Sequence, residues 1–281
     1  MKMGDCHRFV DRSALVTGAA QGIGFATCMR LGLEGARVFV VDRAQVPAKE
    51  AAERLREHGI DAQEVVVDLA SLSGAREAVS QVLDQAGKID VLVNNVGGTI
   101  WKKPFWTYSE EEIFMEIERS FWPTLWMCRA AIPSMVRRST GSIVNISSSA
   151  THSIFRIPYS ASKGAVNAMT TSLAVELTDY NIRVNAVSPG TTQITDRKTD
   201  RAVRPPTNDE LGWDEVFFKY MAAEGLIPRA STVEEQAAVI AFLASDDASY
   251  VTGEIIETCR HGQPISRICG VSPQPPEDDM A

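Results

Sequence analysis

The feature that most limits what this chain can fold into is a regular alternation of short apolar runs with longer segments of helical spacing. Runs rich in Val, Ile and Leu at Ala14–Thr17, Arg37–Asp42, Ala62–Val67, Val91–Asn94, Ser142–Ser147 and Arg183–Val187 read as strands, with a last one near Glu254–Ile256. Between them, Ala48–His58, Gly74–Ala86, Glu110–Met135, Tyr159–Tyr180 and Val233–Leu243 carry helical patterns. Strict alternation of this kind predicts βαβ units, and so an α/β fold with a parallel sheet covered by helices on both faces. Unbroken runs such as Val91-Leu92-Val93 suit central strands buried on both sides.

Thr191 to Arg229 breaks the pattern. It is polar, carries Pro205-Pro206 and holds one aromatic cluster: Trp213, Phe217, Phe218 and Tyr220. A long insertion late in an α/β domain points to a lid over a site rather than a structureless loop. The expected organisation is one domain over residues 1–265, with the lid at about 191–229. A Pro- and acid-rich tail at 266–281 is expected to stay disordered.

Composition excludes several classes. A net charge of -8 argues against binding nucleic acid or an anionic membrane, which would need basic surface. No stretch of about 18 apolar residues is present to span a membrane, and Met1 to Arg12 is polar, so a cytoplasmic protein is expected. Five scattered cysteines and four histidines without ligand spacing predict neither disulfides nor a metal site.

Chemistry enters with Thr17-Gly18-Ala19-Ala20-Gln21-Gly22-Ile23-Gly24, which follows the first strand and opens a helix. Glycines there let the backbone turn tightly and approach a diphosphate at the helix N-terminus. No Lys-Ser or Lys-Thr follows, which disfavours phosphoryl transfer. Asp42 ends the second strand, placed to accept hydrogen bonds from an adenosine ribose and to repel a 2′-phosphate. Arg43 could accommodate that phosphate, but Gln21 stands where a second basic residue would help, so NAD is expected over NADP. Further on, Tyr159 and Lys163 lie four apart and project from one face of a helix. A free phenol is a poor base at neutral pH, and a neighbouring ammonium favours its ionised form.

With Asp68-Leu69, Asn94-Asn95-Val96-Gly97, Ser148 and Ser188-Pro189-Gly190 added in order, the chain resembles the short-chain dehydrogenase/reductase family from about Ser13 to Gly253. The resemblance implies a Rossmann-like doubly wound sheet of about seven strands in a homotetramer or homodimer. It implies a nicotinamide cofactor held by Gly18, Gln21, Gly22, Ile23, Gly24, Asp42, Asp68, Leu69, Asn95, Val96, Gly97, Pro189, Gly190 and Thr192, with Tyr159 and Lys163 at its ribose end. Ser148, Tyr159 and Lys163 would be catalytic: the serine holds the reacting oxygen and the tyrosine takes its proton. Two departures stand out. Ser120 occupies a place where many members carry an Asn that helps hold a water, and Glu257-Thr258-Cys259-Arg260-His261-Gly262 replaces a common Val-Asp-Gly-Gly ending.

Within the family, Asn94 to Trp101, Lys103-Pro104-Phe105 and Pro123-Thr124-Leu125-Trp126 look like dehydrogenases that oxidise cis-dihydrodiols of benzoate-type ring carboxylates to catechols. Those acting on the p-cumate diol are similar. An anionic small-molecule substrate of this kind needs a cation, and a guanidinium suits a carboxylate best. Arg156 is the first candidate and Lys103 the second, with Trp101, Phe105 and Trp106 as an apolar wall. Other readings stay open: a general alcohol dehydrogenase or ketoreductase, or a non-catalytic NAD-binding regulator.

Overall fold

The computed structural model describes residues 7–195, 197–199, 201–224, 226–227 and 229–258. The expected tail at 266–281, and the atypical ending beyond Thr258, lie outside them. Seven strands form one parallel sheet: β1 (Ser13–Thr17), β2 (Arg37–Asp42), β3 (Ala62–Val66), β4 (Val91–Asn94), β5 (Gly141–Ile146), β6 (Ile182–Ser188) and β7 (Ile255–Glu257). Their order is β3-β2-β1-β4-β5-β6-β7, so the winding direction reverses between β1 and β4. The helices are α1 (Gly22–Leu33), α2 (Gln45–Glu57), α3 (Leu72–Ala86), α4 (Glu110–Ser120), α5 (Trp122–Arg138), α6 (Ile157–Glu176), α7 (Asn208–Glu224) and α8 (Val233–Ala244).

Side chains alternate across a strand, so each strand feeds two cores. Ala14, Val16, Val38, Val40 and Val93 pack with Cys28 and Leu31 of α1, Leu55 of α2 and Ile240 of α8. Leu15, Phe39, Val41, Leu92 and Ile143 pack on the opposite face with Val79 of α3 and Met127 and Met135 of α5. This is the doubly wound sheet that the alternation predicts, with strand ends within a residue or so of expectation.

Two elements depart from the sequence reading. The expected single helix Glu110–Met135 is two, interrupted at Phe121. Pro123 has no N–H to offer the carbonyl of Arg119, and its ring crowds the preceding turn, so the helix ends and restarts with the proline in its first turn. The segment expected to be a lid, in turn, contains a 17-residue helix, α7. Trp213, Phe217 and Tyr220 recur at helical spacing. Thr207 and Glu210 form a reciprocal cap, the Glu210 N–H reaching Thr207 Oγ1 at 3.3 Å and the Thr207 N–H reaching Glu210 Oε2 at 2.8 Å. Among the described residues no helix is long and apolar enough to cross a membrane.

Candidate active site

The reversal between β1 and β4 opens a crevice at the carboxyl ends of the strands, where ligands bind in such sheets. A cleft of about 390 Å³ lies there, and Gly18, Gln21, Gly22, Ile23, Asp42, Asp68, Leu69, Asn95, Val96 and Gly97 all line it. Gly18 and Gly22 have φ of 60° and 58°, a left-handed turn that favours glycine. Gly24 is needed for closeness: a Cβ there would sit 2.4 Å from the Gly18 carbonyl oxygen. Gln21 precedes α1 without capping it, its amide bonding Thr199 Oγ1 at 2.7 Å instead. The first-turn N–H groups of α1 are thereby left to a bound diphosphate. These features fit a dinucleotide.

Asp42 is fixed at the far wall by N–H bonds from Ala20 (3.3 Å) and Ala44 (3.1 Å), and the exposed Arg43, 4.0 Å from Asp68, lines the cleft beside it. Asn95 does more than line the cleft. Its amide donates to the carbonyls of Thr17 and Gly18, both at 3.0 Å, and so braces the glycine turn. Thr192 bonds Ser231 Oγ at 3.0 Å, and the Pro189 carbonyl accepts from Ser149 N–H at 3.0 Å, which ties the strand end after β6 to the turn after β5. Thr192, Pro189 and Gly190 do not line this cleft.

Tyr159 and Lys163 lie in the first turns of α6, both buried; neither they nor Ser148, Ser120 and Arg156 line this cleft, though Lys163 adjoins Gly97 of its wall. The Lys163 ammonium donates to the Ile146 carbonyl at 2.6 Å and lies 5.8 Å from the centre of the Tyr159 ring. Burial, and the nearby Arg201 charge, lower its pKa to about 7. A Cβ on Gly97 would meet Lys163 Nζ at 3.2 Å and Ser120 Cα at 3.6 Å, so the lysine and Ser120 converge on this glycine. Ser120 is fully buried, its Oγ accepting the Gly98 N–H at 3.4 Å. Ser148 directly follows β5 and caps the short turn Ser149–His152 through the Ala150 N–H at 3.1 Å. Its neighbour Ser147 reaches the Lys163 carbonyl at 3.4 Å.

The substrate-side candidates separate cleanly. The Arg156 guanidinium lies 5.8 Å from the centre of the Tyr159 ring and 4.7 Å from that of Phe217 in α7. Its polar contact is the Met221 sulfur at 3.8 Å, and its Nε is buried without a partner. Lys103 does not share this position. It is 6% exposed and pairs with Glu112 at 2.6 Å and Glu210 at 4.0 Å. It serves instead to latch α7 to α4, together with Arg204, which meets Glu210 at 2.7 Å and Glu112 at 3.5 Å. Trp101 is buried rather than displayed, its N–H bonded to Glu116 at 2.9 Å, whereas Phe105 and Trp106 are exposed.

Sequence reasoning missed three charged residues here. Arg201, from the segment before α7, reaches the cleft and packs on Gly98, where a Cβ would lie 2.2 Å from its Cζ. Glu210 was hidden because nothing in the sequence marked α7 as a partner of Lys103. Glu116 sits one turn before Ser120 on a polar stretch of α4 that reads as solvated surface, yet it is fully buried. Among the described residues no cluster of metal ligands exists.

Comparison with known proteins agrees with this geometry. The short chain dehydrogenase family model matches residues 12–204. A 1,6-dihydroxycyclohexa-2,4-diene-1-carboxylate dehydrogenase of Acinetobacter baylyi is 44% identical over 254 residues, covering 90% of this chain and 97% of its own. A protein of the same name from Pseudomonas putida is 41% identical, covering 88% and 90%. Among solved structures, NAD+-bound xylitol dehydrogenase superposes with a TM-score of 0.79 at 28% identity, over 90% of this chain and 99% of that one. With its glycine turn, its Tyr159–Lys163 pair and its sheet order all in register, the chain belongs to the short chain dehydrogenase family.

Proposed function

We propose that the protein uses NAD to oxidise a cis-dihydrodiol of a benzoate-type ring carboxylate, and that the product loses carbon dioxide to leave a catechol. The observation that carries the substrate reading is Arg156: a guanidinium beside Tyr159, with no carboxylate paired to it among the described residues. The two relatives named for that substrate support the same class.

In this reading Arg156 holds the ring carboxylate, and Ser148 hydrogen-bonds the adjacent hydroxyl. Tyr159 takes the hydroxyl proton, with the Lys163 and Arg156 side chains each 5.8 Å from the centre of its ring. NAD, when bound, would supply the hydride acceptor. Ser120, whose Cα adjoins Gly97 as Lys163 Nζ does, would hold a water for the proton. The oxidised ring is a β-keto acid, whose loss of carbon dioxide restores aromaticity, so no further catalytic group is required. Asp42 favours NAD because a 2′-phosphate would lie against its carboxylate. The α7 segment forms the lid.

Replacing Arg156 with Met is expected to raise the KM for the ring-diol carboxylate roughly ten-fold or more while leaving the KM for NAD unchanged. An unaltered substrate KM would remove Arg156 from the site and, with it, the main support for an anionic substrate.

A further inference from the structure

The chain between β6 and α7 forms a strap that joins two walls of the dinucleotide cleft, and its residues Ile194, Arg197, Thr199, Arg201 and Val203 line that cleft. On one wall Gln21, in the glycine turn, holds it. The Gln21 Oε1 accepts the N–H groups of Lys198 and of Thr199, the latter at 3.1 Å, and its amide donates to Thr199 Oγ1 at 2.7 Å. On the other wall Arg119 of α4 donates to the Arg201 carbonyl at 2.9 Å.

Arg201 brings a guanidinium into this bridge. It packs on Gly98, where a Cβ would lie 2.2 Å from its Cζ and 2.5 Å from its Nη1. A residue with a side chain at 98 would displace it, so the glycine is what admits the charge. Lys163 reaches the neighbouring glycine, its Nζ 3.2 Å from where a Cβ on Gly97 would be. Two cationic side chains thus meet at adjacent glycines. Among the described residues Arg201 bonds through its carbonyl alone, and its guanidinium has no carboxylate partner.

The ligand that the cleft fits brings the opposite charge. A dinucleotide carries a doubly negative diphosphate, and no Lys or Arg stands between Thr17 and Gly24 to meet it. The glycine turn offers backbone N–H groups, and the N-terminus of α1 adds the equivalent of about half a positive charge. Asp42, Asp68 and Glu118 add acidic groups to the wall, and Arg43 stands beside Asp68 at 4.0 Å. The diphosphate therefore lacks a full countercharge in the turn itself. Arg201 is such a charge, on a strap tied to that same turn by Gln21, and a guanidinium fork matches two phosphate oxygens at once.

We propose that Arg201 is a cofactor-binding residue whose guanidinium pairs with the diphosphate of the dinucleotide, held across the cleft by Gln21 and Arg119. The proposal rests on the dinucleotide reading of the cleft and is independent of which alcohol is oxidised. Gly98 gives the guanidinium its approach. Gln21 couples the strap to the turn whose N–H groups face the same diphosphate.

Calorimetric binding of ADP-ribose, which has the diphosphate but no nicotinamide, reads this contact without turnover. Arg201→Met is expected to raise the Kd for ADP-ribose, and that for NADH in parallel, roughly ten-fold or more. The variant should also lose much of the salt dependence of both affinities. Adenosine, which has no diphosphate, should bind native protein and variant alike, and Arg201→Lys should recover part of the loss. An unchanged Kd for ADP-ribose would overturn the proposal. So would an equal loss of ADP-ribose and adenosine, which would make the residue structural, or a rise confined to the KM for the ring-diol carboxylate, which would assign Arg201 to the substrate. Native protein that binds neither ADP-ribose nor NADH would instead sink the dinucleotide reading, and the proposal with it.

Discussion

Lys163 shows how one side chain carries both the chemistry and its energetic cost. Unfolded, the amine keeps its proton to about 10.5; folded, burial and the Arg201 charge let it go at about 7. Between those values the unfolded chain binds more protons than the folded one, so this residue's contribution to stability rises with pH. Lys163→Met is expected to cut turnover roughly a hundred-fold or more. The stability advantage of the variant over the native protein, read from denaturant melts, should shrink from pH 7 to pH 10. An advantage independent of pH would show that the amine is not held in the depressed state. At this scale the sequence was a good guide wherever spacing along one helix decides position, as with Tyr159 and Lys163. It ranked Arg156 above Lys103 on the geometry of a guanidinium alone and could not show their different partners, which come from elsewhere in the chain. Glu112 and Glu210 take Lys103, and among the described residues no ion-pairing carboxylate takes Arg156.

At the scale of elements, the strands were legible because both faces of each are buried and the apolar runs are unbroken. The break between α4 and α5 was foreshadowed by Pro123 but not its effect, a helix end that buries Ser120 against Gly98. The α7 helix was harder to see because its polar residues are there for ion pairs rather than for solvent. Lys102 meets Asp214 at 3.0 Å, and the Lys103, Glu112, Arg204 and Glu210 cluster holds the helix start. The Arg204 guanidinium, first among several causes, lowers the Glu210 pKa to about 2. Glu210→Gln is expected to lower stability by about 2 kcal/mol at pH 7 and to raise the substrate KM by loosening the lid. Because the folded pKa lies below the ordinary 4.5, the native advantage should be full above that value and fade as the pH falls toward 2. A substrate KM unmoved by the substitution would mean that α7 is packing, not lid.

For the whole molecule, α4 and α5 leave an apolar face outward. Phe114 is 63% exposed, and Trp122 stacks on Trp126 with ring centres 5.3 Å apart at the protein surface. Such a patch suits a self-complementary interface, and we propose that it serves the homo-oligomer that the family resemblance implies. A Phe114→Glu/Trp122→Glu variant should sediment as a monomer where the native protein does not; equal sedimentation would place the interface elsewhere.

The central claim concerns what the assembled site consumes. It is tested most directly by following nicotinamide reduction with the purified protein, the cis-diol of benzoate, and either NAD or NADP. The account predicts rapid NAD reduction with catechol and carbon dioxide formed in equal amount, and much slower reaction with NADP. Reduction with a neutral cyclic diol but none with the carboxylate would contradict it, leaving a dehydrogenase whose buried Arg156 serves another purpose.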